Sequence, residues 1–73
     1  MYEFIRGEIA DLNPASTVLE AGGVGYFINI SLNTYSKING QQKAQLLIHQ
    51  IVREDAHILY GFAEEREREL FRN

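Results

Sequence analysis

Residues 50–62 read Gln-Ile-Val-Arg-Glu-Asp-Ala-His-Ile-Leu-Tyr-Gly-Phe, and no other stretch narrows the fold as far. Two apolar, strand-like runs flank a charged tip at Arg53-Glu54-Asp55, which is the pattern of a β-hairpin. Apolar runs that fold back on each other so closely in sequence commit this part of the chain to sheet. Two adjacent carboxylates on a tight turn also contribute nothing to a core. They form an exposed acidic point.

The rest of the chain reads in the same idiom. Tyr2 to Asp11 is a first strand, holding Phe4, Ile5 and Ile9 but also Arg6 and Glu8, so its alternation is imperfect. Asn13-Pro14 signals a turn. Thr17 to Ala21 is a second strand, Gly22 to Gly25 a glycine-rich connection, and Tyr26 to Ser31 a third strand. In that strand Tyr26, Ile28 and Ile30 share one face, and Phe27, Asn29 and Ser31 the other. Leu32 to Ile38 is a short helical turn, and Asn39-Gly40 a turn dipeptide. Lys43 to Arg53 and Ala56 to Phe62 are the fourth and fifth strands, with Ala56, Ile58, Tyr60 and Phe62 on one face of the last. After Phe62 the composition changes to helix formers. Glu64–Arg68, Glu65–Arg68 and Glu69–Arg72 fall at helical i,i+3 or i,i+4 spacings, each pair worth about 0.2–0.5 kcal/mol. Leu70-Phe71 then arrives as an apolar anchor before Asn73, so this helix is expected to lead onward.

These elements predict an all-β domain: a five-stranded OB-fold barrel over 1–62 with a short helical insert. Residues 63–73 are expected to start a helix leading to a further domain that is absent here. An SH3-like barrel is the alternative, because strand count alone does not separate the two.

Composition limits the function classes. A chain of 73 residues holds one small domain with a marginal core, so oligomerisation or a neighbouring domain is expected to support it. It has no cysteine, which excludes disulfides and thiolate metal sites. No apolar run is long enough to span a bilayer, and a cytoplasmic protein is expected. The net charge of −3 argues against a stand-alone duplex-binding module. If the chain serves DNA, the surface that attracts DNA is expected beyond residue 73.

Sites of chemistry are scarce. Gly22-Gly23-Val24-Gly25 has no third glycine at the dinucleotide-fingerprint spacing, where Ile28 stands, and a strand follows it. With no Walker lysine either, no nucleotide cofactor is expected, and the glycines read as a hairpin connection. Glu54 and Asp55 are adjacent on a turn and splay apart, which does not suit shared acid–base work. With His57 they still fall short of a hard-metal ligand set. His49 and His57 are isolated. Tyr2, Phe4, Tyr26, Phe27, Tyr35 and Tyr60 are candidate base-stacking platforms. Their places on apolar strand faces, without interleaved basic residues, make most of them core instead. Neither a catalytic residue nor a metal ligand is expected.

Five short words remain: Arg6-Gly7, Gly22-Gly23-Val24-Gly25-Tyr26, Val52-Arg53-Glu54-Asp55-Ala56, Leu59-Tyr60-Gly61-Phe62 and Glu69-Leu70-Phe71. In this order and spacing they closely resemble the N-terminal domain of the RuvA family, the Holliday-junction-binding subunits of the RuvAB branch migration complex. The likeness covers essentially the whole chain. It implies an OB-fold barrel followed, in the family, by helix-hairpin-helix motifs and a small mobile domain that engages the RuvB ATPase. It implies a homotetramer, a part in DNA recombination, repair and the SOS response, and a contact with the RuvC resolvase. Four-way junction DNA is the implied ligand of the full-length protein. The resemblance makes Glu54 and Asp55 the acidic pin that guides strands at the crossover, and Arg53 beside them is a candidate for a phosphate contact or, equally, for an ion pair with Glu54 or Asp55. The bare alternatives are a pure oligomerisation domain and a generic single-strand-binding OB domain.

Overall fold

The computed structural model describes residues 3–72. Tyr2, expected to open the first strand and to offer a stacking platform, and Asn73, expected to end the helix, lie outside them. The order is β1 (Phe4–Asn13), β2 (Ser16–Ala21), β3 (Val24–Ile30), α1 (Leu32–Ile38), β4 (Lys43–Arg53), β5 (Ala56–Phe62) and α2 (Glu65–Arg72). The strands close a barrel in the order β1-β2-β3-β5-β4. Every pairing is antiparallel except β3 with β5, which is parallel and short, at Asn29↔Tyr60 and Ile30↔Gly61. A closed five-strand barrel with its helix between β3 and β4 is the OB-fold, so connectivity decides what strand count left open.

The imperfect alternation of β1 has a specific cause. Its register with β2 runs Ile9↔Leu19 and then Asp11↔Val18, so Ala10 is an extra residue in a β-bulge. Before the bulge the odd positions Ile5 and Ile9 pack against the core. After it, Leu12 does. The bulge also bends β1 enough to pair with β2 at one end and β4 at the other. Buried Thr17 donates its hydroxyl to the Asp11 carbonyl at 2.7 Å, which satisfies a backbone group freed by the bulge.

The β2–β3 connection is tighter than the four-residue link expected. Ala21 pairs with Val24, leaving only Gly22 and Gly23 in the loop, at φ of +60° and +83°. Two successive positive φ values give the turn a twist that matches the strands, and glycine adopts them without a Cβ clash. The β1–β2 turn uses a side chain instead. Asn13 Oδ1 accepts from the backbone N–H of Ala15 at 2.8 Å and of Ser16 at 2.9 Å.

Leu19, Ile28, Leu46 and Ile48 are fully buried in the lumen, with Ile5, Ile38, Ala44 and Leu59 around them. The two faces of β3 separate as expected: Ile28 is buried and Phe27 is 60% exposed. On β5 the lumen is lined by Leu59, whereas Ile58, Tyr60 and Phe62 share the outer face. That outer face is covered at its base by α2.

Helix α2 docks through tertiary contacts. The sequence spacing paired Arg68 with Glu64 and Glu65, and this expectation fails. Arg68 is buried, and its ion pair is with Glu3 at 2.6 Å, while Nη1 donates to the Glu3 carbonyl at 3.0 Å. Glu64 instead meets Lys37 of α1 at 3.4 Å. Of the three expected pairs, Glu69–Arg72 forms, at 3.6 Å. Packing against the barrel outweighs the few tenths of a kcal/mol available to a surface pair.

Candidate functional site

The acidic tip sits at the end of a ribbon that outgrows its barrel. Among the described residues, β1 pairs with β4 as far as Phe4↔Leu47, with one further bond from the Ile48 N–H to the Glu3 carbonyl, and β3 pairs with β5 only at Tyr60 and Gly61. Among the described residues, the outer rungs Gln50↔Leu59, Ile51↔Ile58, Val52↔His57 and Arg53↔Ala56 therefore join β4 and β5 alone. At roughly 3.4 Å per residue, this free part of the ribbon extends about 13 Å. Glu54 and Asp55 form its two-residue loop and are exposed, as are Arg53 and Ala56.

The charges at the tip are not neutralised by the rest of the domain. Among the described residues, neither Glu54 nor Asp55 has an ion-pair or side-chain hydrogen-bond partner. Arg53 also makes no salt bridge among them, so an ion pair between it and its neighbouring carboxylates does not form here. Two solvated like charges a few ångströms apart repel by only about 1 kcal/mol in water, so the turn tolerates them. Both negative charges face outward with nothing to screen them but solvent.

The two faces of the ribbon differ. On one, Gln50 Nε2 donates to His57 Nδ1 at 3.0 Å across the strands, beside Val52, which is 65% exposed. On the other, Leu47 lies opposite Phe62, His49 opposite Tyr60 and Ile51 opposite Ile58. The Phe71 ring of α2 closes over the base of this second face. Its centroid lies 5.2 Å from His49, 5.0 Å from Tyr60 and 5.2 Å from Phe62. The Leu70-Phe71 anchor is thus half right, because Leu70 remains 71% exposed.

The aromatic expectation needs correcting. Of the residues expected mostly in the core, Phe4 is 45% and Phe27 60% exposed, whereas Tyr26 is partly buried and packs against the cluster as expected. Tyr60 lies on the outer ribbon face. The fully buried lumen positions are aliphatic, and Phe4, Phe27 and Tyr60 lie on the outer side of their strands. Among the described residues, Phe62 is the buried aromatic.

Other chemistry is not assembled. No group of three or more His, Cys, Asp or Glu that could hold a metal occurs among the described residues. An open cleft beside the β2–β3 turn is lined by Arg6 and Lys43 but also by Glu8 and Glu20, so its charges cancel. Among the described residues, no helix is long and apolar enough to cross a membrane. What the sequence did not reveal is the grip on α2. Glu67 accepts from Ser31 Oγ at 2.9 Å and from buried Thr34 Oγ1 at 3.0 Å. These partners are more than thirty residues away and carry no local signal.

Comparison with known proteins matches this architecture. The profile of the RuvA N terminal domain family matches residues 1–61. The Holliday junction branch migration complex subunit RuvA of Bacteroides fragilis is 56% identical over 71 residues, which is 97% of this chain and 35% of that protein. The RuvA subunit of Porphyromonas gingivalis is 48% identical, again over 97% of this chain and 35% of its own length. That of Christiangramia forsetii is 46% identical over 99% of this chain and 37% of its length. The chain therefore spans about a third of the length of the curated relatives it matches. With nearly all of its barrel inside the matched region, this chain belongs to the RuvA N-terminal domain family.

Proposed function

We propose that the chain is the barrel domain of a Holliday-junction-binding subunit of a branch migration complex, and that Glu54 and Asp55 are its acidic pin. The observation that carries this reading is the unneutralised pair of carboxylates on a two-residue tip, held clear of the barrel by a free ribbon. B-DNA carries about one negative charge per 1.7 Å of axis, so a carboxylate tip repels a continuous duplex laid across it. The repulsion reaches about 8 Å at physiological ionic strength, which confines it to DNA directly over the tip. Separated strands bend away from such a point and enter the arms of a junction. Selectivity then comes from penalising the wrong ligand. Arg53, free and adjacent, contacts a flanking phosphate and holds a strand beside the pin.

The domain is a guide without catalytic residues. Residues 1–62 form the barrel, and residues 63–73 open the connection to the helix-hairpin-helix part that supplies most of the attraction for DNA. ATP-driven movement belongs to the RuvB motor, and RuvC resolvase acts on the same junction. Four copies assemble so that their pins surround the crossover. The apolar outer row Phe4, Leu47, Phe62 and Phe71, with Phe4 45% and Phe71 43% exposed, supports the barrel as part of that assembly core.

The test is competition binding of the full-length protein between a four-way junction and linear duplex of the same sequence at fixed salt. Glu54→Ala with Asp55→Ala is expected to raise duplex affinity more than junction affinity. The preference should fall about tenfold, the scale of removing two charges from a phosphate-facing site. Unchanged preference in this double variant rejects the pin. In the same assay Arg53→Ala should weaken binding of both ligands and reduce the salt slope by about one, the share of a single neutralised phosphate. An unchanged slope removes Arg53 from the interface.

A further inference from the structure

The free ribbon raises a mechanical question. A two-stranded hairpin is marginally stable alone and strongly twisted, so its direction has to be fixed at its root. The lumen side of that root is held by Ile48 and Leu59 in the core. On the outer side, His49 and Tyr60 face each other across the strands, and the Phe71 ring lies against both. The root is thus clamped between the barrel core and one ring from α2.

Phe71 is itself held from two other directions. Glu67 takes hydrogen bonds from Ser31 and Thr34 at the start of α1, and Thr34 Oγ1 also accepts from the Ala63 N–H at 3.3 Å. Arg68 grips Glu3, whose carbonyl also accepts from the Ile48 N–H at 3.0 Å, next to the ribbon root. The helix is therefore tied to α1 and to the start of β1, and Phe71 extends from this fixed base onto the ribbon. Burial is not its main contribution. It is 43% exposed, and the core cluster is complete without it.

We infer that Phe71 is a positioning residue for the Glu54–Asp55 tip: anchored through Glu67 and Arg68, it sets the angle at which the β4–β5 ribbon leaves the barrel. This rests on the reading of the tip as the DNA-guiding element, but the angle can be measured separately from binding.

The experiment uses the full-length protein with spin labels at Ala56→Cys, beside the tip, and Asn33→Cys, on α1. Labelled chains are diluted with unlabelled protein so that each assembly carries one pair. Phe71→Ala is expected to broaden the tip-to-barrel distance distribution about twofold, as an unclamped ribbon samples more angles. Junction-over-duplex preference should fall about fivefold, on the scale of one aromatic interaction. Phe71→Leu, which refills the space, should restore both. An unchanged distribution in Phe71→Ala overturns the inference whatever happens to binding. A broadened distribution with unchanged preference supports positioning and rejects the guiding role of the tip. The two losses should also be non-additive: once Glu54 and Asp55 are both Ala, Phe71→Ala should cost no further preference. A full additional loss overturns action through the tip. If Phe71→Ala does not fold by circular dichroism, Tyr60→Ala empties the same contact from the ribbon side and carries the same expectations.

Discussion

Leu46→Ala is expected to lower the stability of the domain by about 3 kcal/mol. Leu46 is fully buried at the middle of β4, opposite Ile5 of β1 and against Gly61 of β5. Truncating it removes apolar burial and leaves a cavity in a closed barrel, whose ladders prevent the walls from collapsing inward. A domain of this size has roughly 4–11 kcal/mol of stability in total, so the loss is a large fraction of it. For a chain this short, each kcal/mol moves the thermal midpoint by about 4–8 °C, giving an expected fall of about 12–24 °C by circular dichroism. Leu47 is the control. It is the next residue and the same side chain, but it faces outward and is only half-buried. Leu47→Ala should cost about 1 kcal/mol, in proportion to the smaller area it covers. Equal losses at the two positions would refute the assignment of lumen and outer face on β4.

That pair of residues also shows how far the sequence could be read. Strict alternation made β3 legible, because Ile28 inward and Phe27 outward follow from a period of two. The bounds of β4 and β5 were legible because a charged tip separates two apolar runs. What alternation cannot supply is which face of a two-sided apolar ribbon meets the lumen. Both Leu59 and Tyr60 are apolar enough to be core, and closure with β3 decides in favour of Leu59. The bulge at Ala10 was visible only as a flaw in the pattern of β1. Arg68 was read through its nearest carboxylates, but its partner Glu3 lies 65 residues away, where helical spacing rules have no reach. The candidate site divides in the same way. Glu54 and Asp55 announce themselves as a turn that serves no core. Their projection depends on where β1 and β3 stop pairing, and the clamp at Phe71 depends on where α2 docks. Both are tertiary facts with no local signature.

Gly7→Ala is the second large effect expected, and it tests the close approach that lets β1 serve two neighbours. Gly7 pairs with Ala44 of β4 just where β1 leaves its last rung with β2, Glu8↔Glu20. A Cβ placed on Gly7 would overlap the Glu20 carbonyl oxygen and sit 2.8 Å from its carbon. These are backbone atoms, so no rotamer change relieves the overlap, and the β1–β2 ladder has to open at its end. Replacing glycine removes unfolded-state freedom and by itself would stabilise by about 0.4–1 kcal/mol. Overpacking against fixed atoms costs about 1–3 kcal/mol and here falls at the upper end. The clash therefore wins, with a net loss of about 2 kcal/mol and a thermal midpoint lower by about 8–16 °C. Gly25→Ala separates this mechanism from a general penalty for changing strand glycines. Its Cβ would meet only Val18 Cγ1, at an ordinary 3.4 Å, and its effect should stay within about 0.5 kcal/mol. A Gly7→Ala variant as stable as the parent would mean that β1 and β2 part more widely than the bulge geometry requires. The same outcome would remove the reason for a glycine beside Arg6, so that word would no longer follow from the close approach of β1 to β2.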